Sequence, residues 1–295
     1  MSGLACQKKA LVISHHTAFV LRDAVCVVTG ASSGLGRRFA LDLARGGAAV
    51  TGIARRDDLL ASLQEQLDGI SGAGKSRAAK CDVSDVDSYL GLLANVEGAN
   101  GRIDLLINCA GTGEPVVEDR SERSPGDVNP VLEAYRSVME TNFFAAVAGT
   151  LFVLPGMLAR RHGAIVNVSS DSARAPGPGE PIYCASKSAL SAFTECQALA
   201  AVGSGVHIHV LYPGWVPTAM GNEAIDRGMP MPPRFVRRTE EGVSRLLMRR
   251  IGGGRIDIDA APVARLAPVA RSLLPGLYKK GVLKSSGHVS KQASA

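Results

Sequence analysis

The stretch Thr29-Gly-Ala-Ser-Ser-Gly-Leu-Gly36 separates a β-branched run at residues 24–29 from an apolar helical pattern at residues 35–45. A glycine-rich turn between a strand and a helix lets backbone N–H groups approach a pyrophosphate, whose charge the helix N-terminus also stabilises. Gly30 allows the tight turn, Gly34 the close approach and Gly36 the packing of helix on strand. Glycines alone are a weak signal, but their position between strand and helix predicts a dinucleotide site. The other residues of this predicted phosphate loop are Ser32, Ser33 and Leu35.

Strand and helix patterns alternate along the rest of the chain. Further strand patterns lie at residues 48–53, 77–81, 103–108, 164–169 and 206–211, with helical spacing between them. Parallel strands joined by crossover helices produce this alternation, so the sequence predicts an α/β fold with a Rossmann-type, doubly wound parallel sheet. We expect one catalytic domain over residues 23–260, an N-terminal extension over residues 1–22 and a basic tail over residues 261–295.

Composition and charge exclude some classes of protein and locate the basic residues. With 295 residues, 46% of them apolar, the chain is too long and too apolar for a disordered or disulfide-stapled protein. The net charge of +6 divides into −3 up to Pro233 and +9 after it, because 13 Lys and Arg but only four Asp and Glu follow Pro233. A nucleic-acid or membrane role would therefore belong to the tail, and the simpler interpretation is a solvated basic surface.

The six cysteines are scattered, with neither a C-x-x-C pair nor metal-ligand spacing to histidine. We expect no metal site and a reducing, cytoplasmic compartment. We also find no apolar run of about 18 residues, the length that a transmembrane helix needs.

The end of the second strand pattern predicts which dinucleotide binds. It reads Ile53-Ala-Arg-Arg56, with no carboxylate before Asp57. A carboxylate would repel a ribose 2′-phosphate, whereas a guanidinium binds one bidentately. NADP(H) is therefore expected rather than NAD(H), with Arg55 as the first candidate ligand and Arg56 as the second. The alternative is that both are merely solvated.

Tyr183 and Lys187 lie four residues apart in a helical pattern, so their side chains share one face. A phenol is a poor base at neutral pH, but a neighbouring ammonium should lower its pKa. Tyr183 could then exchange a proton with a carbonyl or alcohol oxygen while hydride moves to or from a nicotinamide. Ser170 follows a strand pattern, at the edge where such sheets carry their sites, and could hold the same oxygen.

These motifs, in this order, resemble the short-chain dehydrogenase/reductase family in its single-domain form, over residues 23–258. Residues 29–36 match its T-G-x-x-x-G-x-G, and Tyr183 and Lys187 its Y-x-x-x-K. The resemblance implies a sheet of about seven strands in the order 3-2-1-4-5-6-7. It also implies a catalytic tetrad of Asn142, Ser170, Tyr183 and Lys187, with Ser169 as the rival for the serine role.

The resemblance assigns further cofactor contacts. Asp82, with Val83, would contact adenine, Asn142 would hold a water in the proton relay, and Lys187 would also bind the nicotinamide ribose. Cys109 replaces the second asparagine of the family's N-N-A-G segment. The implied contacts around the nicotinamide half are Asn108, Ala110, Gly111, Pro213, Gly214, Val216 and Thr218. Family members usually pair through the helices carrying Asn142 and Tyr183, which implies a homodimer or homotetramer.

Substrate choice in this family is set after Gly214. Here the segment carries Trp215, Met220, Met229 and Met231, a deformable apolar surface in which we identify no inward charge. We expect a hydrophobic ketone or secondary alcohol, unless these residues pack on the core or on a neighbouring subunit. A different hypothesis is a catalytically idle NADP(H) sensor or scaffold, although the intact tetrad argues against it.

Two segments depart from the family pattern. The loop at residues 118–129 is longer than usual and could be a lid or a passive surface loop. The tail combines leucines with basic residues, but Pro262, Pro268 and Pro275 prevent one continuous helix, so membrane contact is not the favoured interpretation. Nucleic-acid binding is not expected.

Overall fold

A computed structural model describes residues 19–72, 75–113, 128–227 and 229–285. Within them, seven strands form one sheet in the order β3-β2-β1-β4-β5-β6-β7, and every paired neighbour is parallel. The predicted fold class and strand order are thus confirmed. The strands are β1 (Val25–Thr29), β2 (Ala49–Ala54), β3 (Arg77–Lys80), β4 (Leu105–Asn108), β5 (Gly163–Val168), β6 (Val206–Tyr212) and β7 (Asp257–Asp259).

Ten α-helices are found in the described part of the chain. They are α1 (Gly34–Arg45), α2 (Asp57–Asp68), α3 (Val86–Asn100), α4 (Asn129–Met139), α5 (Ala145–Arg160), α6 (Pro181–Ala200), α7 (Ala219–Asp226), α8 (Glu240–Arg250), α9 (Leu266–Leu273) and α10 (Pro275–Ser285). The sequence patterns located six of the strands, whereas β7 is only three residues long and was not located.

Two apolar layers sandwich the sheet, one on each face. On one face, α1, α2 and α8 bury residues such as Phe39, Leu63 and Leu247. On the other, α3, α5 and α6 bury residues such as Leu93 and Met157. Because both faces are covered, the strands are nearly continuous apolar runs, and the edge at their carboxyl ends is where loops can form a site.

The helical stretch from α4 to α5 is apolar and has an interruption. The helical stretch at residues 129–160 is long and apolar enough to span a membrane, judged by length and composition only. Our search of the sequence for an uninterrupted apolar run did not identify it. In the fold this stretch packs on α3, β4 and β5 and buries Val153 and Met157, so it serves as a helix of the domain. A π-helical turn, Glu140–Phe144, separates α4 from α5. Such turns are common at functional sites, and this one carries Asn142.

The two ends of the described region differ in how much of their apolar surface is packed on the domain. Phe19 packs on the domain and its ring stacks on His162, with 5.7 Å between ring centroids. The C-terminal α9 and α10 instead expose large apolar side chains. The domain boundaries that we expect at residues 22 and 260 stay predictions, and most of the longer loop predicted at residues 118–129 lies outside the described residues.

Candidate active site

The phosphate loop is shaped by backbone approaches that leave no room for side chains. Gly30 has a φ of +70°, and a Cβ there would lie 2.8 Å from the Cα of Ala110. A Cβ on Gly36 would overlap the carbonyl oxygen of Gly30. The Thr29 hydroxyl accepts hydrogen bonds from the backbone N–H groups of Cys109 and Ala110, each at 3.0 Å. The glycine turn and the segment after β4 therefore form one rigid floor.

The N-terminus of α1 faces this floor. Its N-cap residue, Ser33, makes no capping hydrogen bond with its side chain, and the first turn contains no acidic residue. The first backbone N–H groups of a helix have no partner within the helix and attract an anion. A pyrophosphate therefore fits the residues present, with Gly34 and Leu35 beginning the helix.

The two arginines after β2 have different surroundings. Arg56, our second candidate, donates from Nη2 to the hydroxyls of Ser32 and Ser33 at 2.8 and 2.7 Å. Arg55 pairs instead with Asp82, with 3.4 Å between Nη1 and Oδ2. Arg56 is therefore the guanidinium that lies against the phosphate loop, and the expected order of the two arginines as cofactor ligands stays a prediction.

Asp82 and Val83 lie at the rim of the cofactor groove. The Asp82 carboxylate accepts hydrogen bonds from the backbone and hydroxyl of Ser84 at 3.0 and 2.7 Å. Burial opposes its ionisation, but these hydrogen bonds and the charge of Arg55 lower its pKa below the usual value. Val83 buries its side chain in the core, so only its backbone could contact a cofactor.

Asn108 has a structural role in this arrangement. Its side chain is buried, donates to Asn167 at 2.8 Å and accepts from the Tyr89 hydroxyl at 3.3 Å. These contacts join β4 to β5 and α3, and they occupy the Asn108 side chain, so the expected cofactor contact of Asn108 stays a prediction. Asn108 fixes the start of the floor that continues through Ala110 to Gly111.

Asn142 and Lys187 converge on Gly111. A Cβ on Gly111 would lie 3.3 Å from Asn142 Oδ1 and 3.4 Å from Lys187 Nζ. Asn142 accepts from the Thr112 backbone N–H at 2.8 Å and donates to the Thr112 carbonyl at 2.9 Å. It also donates to the Ser186 hydroxyl at 3.0 Å, a contact that the sequence did not predict. Lys187 donates to the Val168 carbonyl at 2.9 Å.

Ser170 and Tyr183 meet through a side-chain hydrogen bond. Ser169, the rival serine, is buried and bonded to α6 through the Lys187 carbonyl, at 3.0 Å, and the Ser191 hydroxyl, at 2.7 Å. Of the two serines, Ser170 is therefore the one beside Tyr183. All four tetrad residues are found at the carboxyl edge of the sheet.

The protonation of this pair differs from our expectation. Burial raises the pKa of Tyr183 to about 12, and the hydrogen bond with Ser170 only partly opposes this. Burial also lowers the pKa of Lys187 to about 8. The expected depression of the tyrosine pKa is wrong because both groups share one buried pocket, which penalises both charged forms. Lys187 Nζ lies 5.9 Å from the centre of the Tyr183 ring.

A charged cluster anchors the turn that follows Ser170. Arg174 in this turn pairs with Asp257 at 2.6 Å and with Asp259, and its guanidinium carbon lies 3.4 Å from the ring centre of Tyr212. Sequence reasoning missed this cluster. In the sequence, the only indication of this cluster is the pair of alternating aspartates in β7.

The segment after β6 covers the phosphate loop. Gly214 has a φ of +72°, and a Cβ there would lie 2.7 Å from the Val236 carbonyl oxygen. Pro213 precedes it, and Val216 is buried against the core. Thr218 caps α7 and its methyl carbon lies 3.1 Å from the position that a Cβ on Gly34 would take. This segment is therefore positioned to close over a dinucleotide.

Beyond this segment, one apolar and one cationic side chain approach Gly113. Met220 Cγ and Arg227 Nη2 lie 3.5 and 3.3 Å from the position of a Cβ on Gly113. Arg227 is a charge near the site mouth that the sequence analysis did not identify, although it lies seven residues after Met220 and so on the same helical face. Trp215 and Met229 are partly buried, and Met231 is exposed. Among the described residues, no cluster of potential metal ligands is found.

Comparison with known proteins identifies the family. A family model described as short chain dehydrogenase matches residues 24–227. A short chain dehydrogenase of Pseudocercospora fijiensis is 35% identical over 203 residues, which cover 68% of this chain and 62% of that protein, just under two thirds of its length. Dehydrogenase/reductase SDR family member 7B of Bos taurus is 30% identical over 268 residues, or 88% of this chain and 80% of that protein.

Solved structures similar to this chain belong to the same family. A short chain dehydrogenase/reductase from Burkholderia phymatum in complex with NAD has a TM-score of 0.71 and 25% identity, covering 86% of this chain and 94% of that chain. A short-chain type dehydrogenase/reductase from Mycobacterium marinum, 23% identical with a TM-score of 0.67 over 81% of this chain and 94% of that chain, shares the fold. The resemblance read from the sequence motifs is confirmed: the chain belongs to the short-chain dehydrogenase/reductase family of nicotinamide-dependent oxidoreductases.

Proposed function

We propose that the chain is an NADP(H)-dependent ketoreductase, acting on a carbonyl or, in reverse, on a secondary alcohol. The observation that carries this proposal is the hydrogen bond between the half-buried Ser170 and Tyr183, beside the buried Lys187 and Asn142. A nicotinamide held by the phosphate loop and Lys187 would, when bound, provide hydride chemistry at the carbonyl carbon. Tyr183 gives its phenolic proton to the carbonyl oxygen, which completes the alcohol.

The protonation states favour reduction as the direction to test first. With a pKa of about 12, Tyr183 keeps its proton at neutral pH and is ready to act as a general acid. Ser170 orients the same oxygen. Lys187, with a pKa of about 8, is mostly cationic at pH 7 and stabilises the phenolate that forms.

NADP(H) is our proposal for the cofactor, although one similar structure holds NAD. The support is the Arg56 guanidinium on the hydroxyls of Ser32 and Ser33, three polar groups suited to a 2′-phosphate. Arg55 adds positive charge nearby but shares it with Asp82.

The substrate that we propose is hydrophobic. Support comes from Met220 beside Gly113 and from the half-buried Trp215, which offer deformable apolar contacts around the site. Arg227 at the mouth would tolerate a polar or anionic end on such a molecule.

A homodimer through α5 and α6 is also part of this proposal. These helices expose apolar residues that include Phe144 just before α5, Leu151, Leu158 and Leu199. Sedimentation velocity on the wild-type chain and a Leu151→Asp variant tests it, and a monomeric wild-type chain would contradict it. A cytoplasmic location is proposed as well, supported by the free thiols of the described cysteines, Cys26, Cys81, Cys109, Cys184 and Cys196.

Two measurements separate the enzyme from the idle sensor. NADPH and NADH are each titrated against the chain, and NADPH loss is then followed with a panel of aromatic, aliphatic and small polar ketones. We expect tighter NADPH binding and turnover of the hydrophobic ketones. Tight NADPH binding without turnover on the whole panel would favour the sensor, and faster turnover of small polar ketones would contradict the substrate class.

A further inference from the structure

The C-terminal helices expose a set of large apolar side chains. They range from 40% exposed at Val263 to 74% at Leu273. Leu266, Val269 and Leu273 recur at helical spacing on α9, so they share one face. An apolar surface of this kind on a folded domain marks an interaction site. We call this the C-terminal patch: Val263, Leu266, Val269, Leu273, Leu274 and Leu277.

The charged residues of the C-terminal segment itself all have one sign. Residues 260–295 contain six Lys and Arg and no Asp or Glu. Arg265 pairs with Asp259 of β7. Arg271, Lys279 and Lys280 are exposed and form no ion pair with any residue that the structure describes. Their charge is therefore available to an anionic partner.

As expected, the prolines prevent one continuous helix in the tail. Pro262 and Pro275 stand at the start of their helices, and Pro268 is in the first turn of α9. Proline is well tolerated there, because the first N–H groups of a helix have no acceptor within it. Two short helices therefore form in place of one continuous helix, and short helices can still present an apolar face to a membrane surface.

The patch borders the active site. The turn Arg234–Val236, where Phe235 is exposed, contacts the turn Pro262–Arg265. On α10, Tyr278 buries its hydroxyl, whose pKa is raised mainly by burial and partly by Cys184, the residue after Tyr183. One side of α10 therefore packs inward through Tyr278, while Leu277 remains exposed.

We propose that the C-terminal patch binds the surface of an anionic phospholipid bilayer, with α9 and α10 lying in the interface. Exposed leucine and valine side chains flanked by lysine and arginine are the composition that such binding requires. A second copy of the chain is disfavoured, because a two-fold contact would bring two positive patches together. Nucleic acid is disfavoured because apolar side chains dominate the surface. This inference does not depend on the proposed reaction, since its readout is lipid binding.

Co-sedimentation of the full chain with vesicles tests the proposal. One set of vesicles is phosphatidylcholine alone, and the other contains phosphatidylserine as well. We expect binding to the anionic vesicles that weakens with salt. A triple variant, Leu266→Ser with Leu273→Ser and Leu277→Ser, and a double variant, Lys279→Glu with Lys280→Glu, should each lower the bound-to-free ratio at least about tenfold.

A matched control replaces exposed apolar residues outside the patch: Val20→Ser, Leu132→Ser and Val202→Ser. It should bind anionic vesicles like the wild-type chain, and circular dichroism with NADPH titration checks that every variant is folded. Absence of wild-type binding, or equal binding by the patch variants, would overturn the proposal. A lipid-free shift of the triple variant to a smaller oligomer, with its vesicle binding unchanged, would assign the patch to a second copy instead.

Discussion

The phosphate loop and the C-terminal patch are opposite kinds of surface. At the loop, the backbone itself is packed, and a single added Cβ on Gly30 would come within 2.8 Å of the Cα of Ala110. At the patch, side chains as large as Leu273 are mostly exposed and nothing among the described residues covers them. The shape of the phosphate loop is thus set by close contacts between backbone atoms, whereas the properties of the patch depend on its side chains. This difference predicts which substitutions will change the catalytic rate, which will change cofactor binding, and which will change neither.

The largest effect is expected at the catalytic end of the packed region. Tyr183→Phe removes only a hydroxyl, but that hydroxyl carries the proton, so kcat for ketone reduction should fall by about 10²–10⁴. The dissociation constant for NADPH should stay within about twofold, because Lys187 and the phosphate loop are untouched. Stopped-flow measurement of NADPH loss gives the first value and fluorescence titration the second. Unchanged kcat would mean that another group delivers the proton.

The next effect tests the backbone packing itself. Gly36→Ala places a Cβ against the Gly30 carbonyl, and relieving such overpacking should cost about 1–3 kcal/mol. We expect weaker NADPH binding together with a lower free energy of unfolding, measured by urea denaturation.

Gly91 on α3 is the matched control, because nothing lies within 4 Å of a Cβ placed there. Gly91→Ala should leave binding unchanged and stabilise the helix by up to about 1 kcal/mol. If both variants behaved alike, close backbone approach would not explain the glycine motif.

The choice of cofactor should depend on one side chain of this region. Arg56→Ala should weaken NADPH binding by about 10–100-fold, since charge-assisted hydrogen bonds contribute about 1.5–3 kcal/mol. NADH binding should hardly change, and Arg55→Ala should have a smaller effect on NADPH because Asp82 already engages that guanidinium. Parallel calorimetric titrations measure all four affinities. A larger loss for Arg55→Ala would support the order expected from the sequence.

The buried pocket should also give reduction a defined pH profile. The pKa of Lys187 is lowered to about 8, so its charge is present below pH 8 and is lost as the pH rises through that value. Tyr183 remains protonated throughout, because its pKa is about 12. The rate of reduction should be level near pH 6–7 and decline above pH 8 in steady-state assays. A rate that rises steadily to pH 10 would show that Lys187 acts as a neutral group.

The smallest effect belongs to the patch. Leu273→Ser should change the free energy of unfolding by no more than about 0.5 kcal/mol, because the side chain is already 74% exposed. Leu247→Ala, on the buried face of α8, should instead cost about 2–5 kcal/mol. Chemical denaturation of both variants makes the comparison. A large cost at Leu273 would place it in a packed core.

Sequence reasoning predicted the packed region far better than the exposed one. Glycine spacing reports backbone geometry directly, so the phosphate loop could be predicted from the pattern itself. The sheet order and the meeting of Ser170 with Tyr183 could be predicted only through the resemblance to the family. The raised pKa of Tyr183 could not, because burial of the Tyr183–Lys187 pocket is a property of the tertiary structure. The contact of Arg56 with Ser32 and Ser33 was not predicted, because side-chain direction at the end of β2 depends on the following turn.

Long-range partners were missed for a related reason. Arg174 and Asp259 are 85 residues apart, and nothing local marks them as a pair. In the tail, the prolines prevent one long helix as expected, but the short helices that form beside them were not predicted. For these regions the sequence thus predicted the kinds of side chains on the surface, but not their partners or their positions in the fold.

Transfer of label from reduced cofactor to product tests the central claim most directly. NADPH carrying deuterium at the transferred position of its nicotinamide is incubated with the chain and a hydrophobic ketone, and the product is analysed by mass spectrometry. We predict an alcohol with one deuterium on the carbinol carbon, formed by the wild-type chain and almost absent with Tyr183→Phe. Tight NADPH binding without labelled alcohol from any ketone, or equal labelling by both chains, would contradict the account.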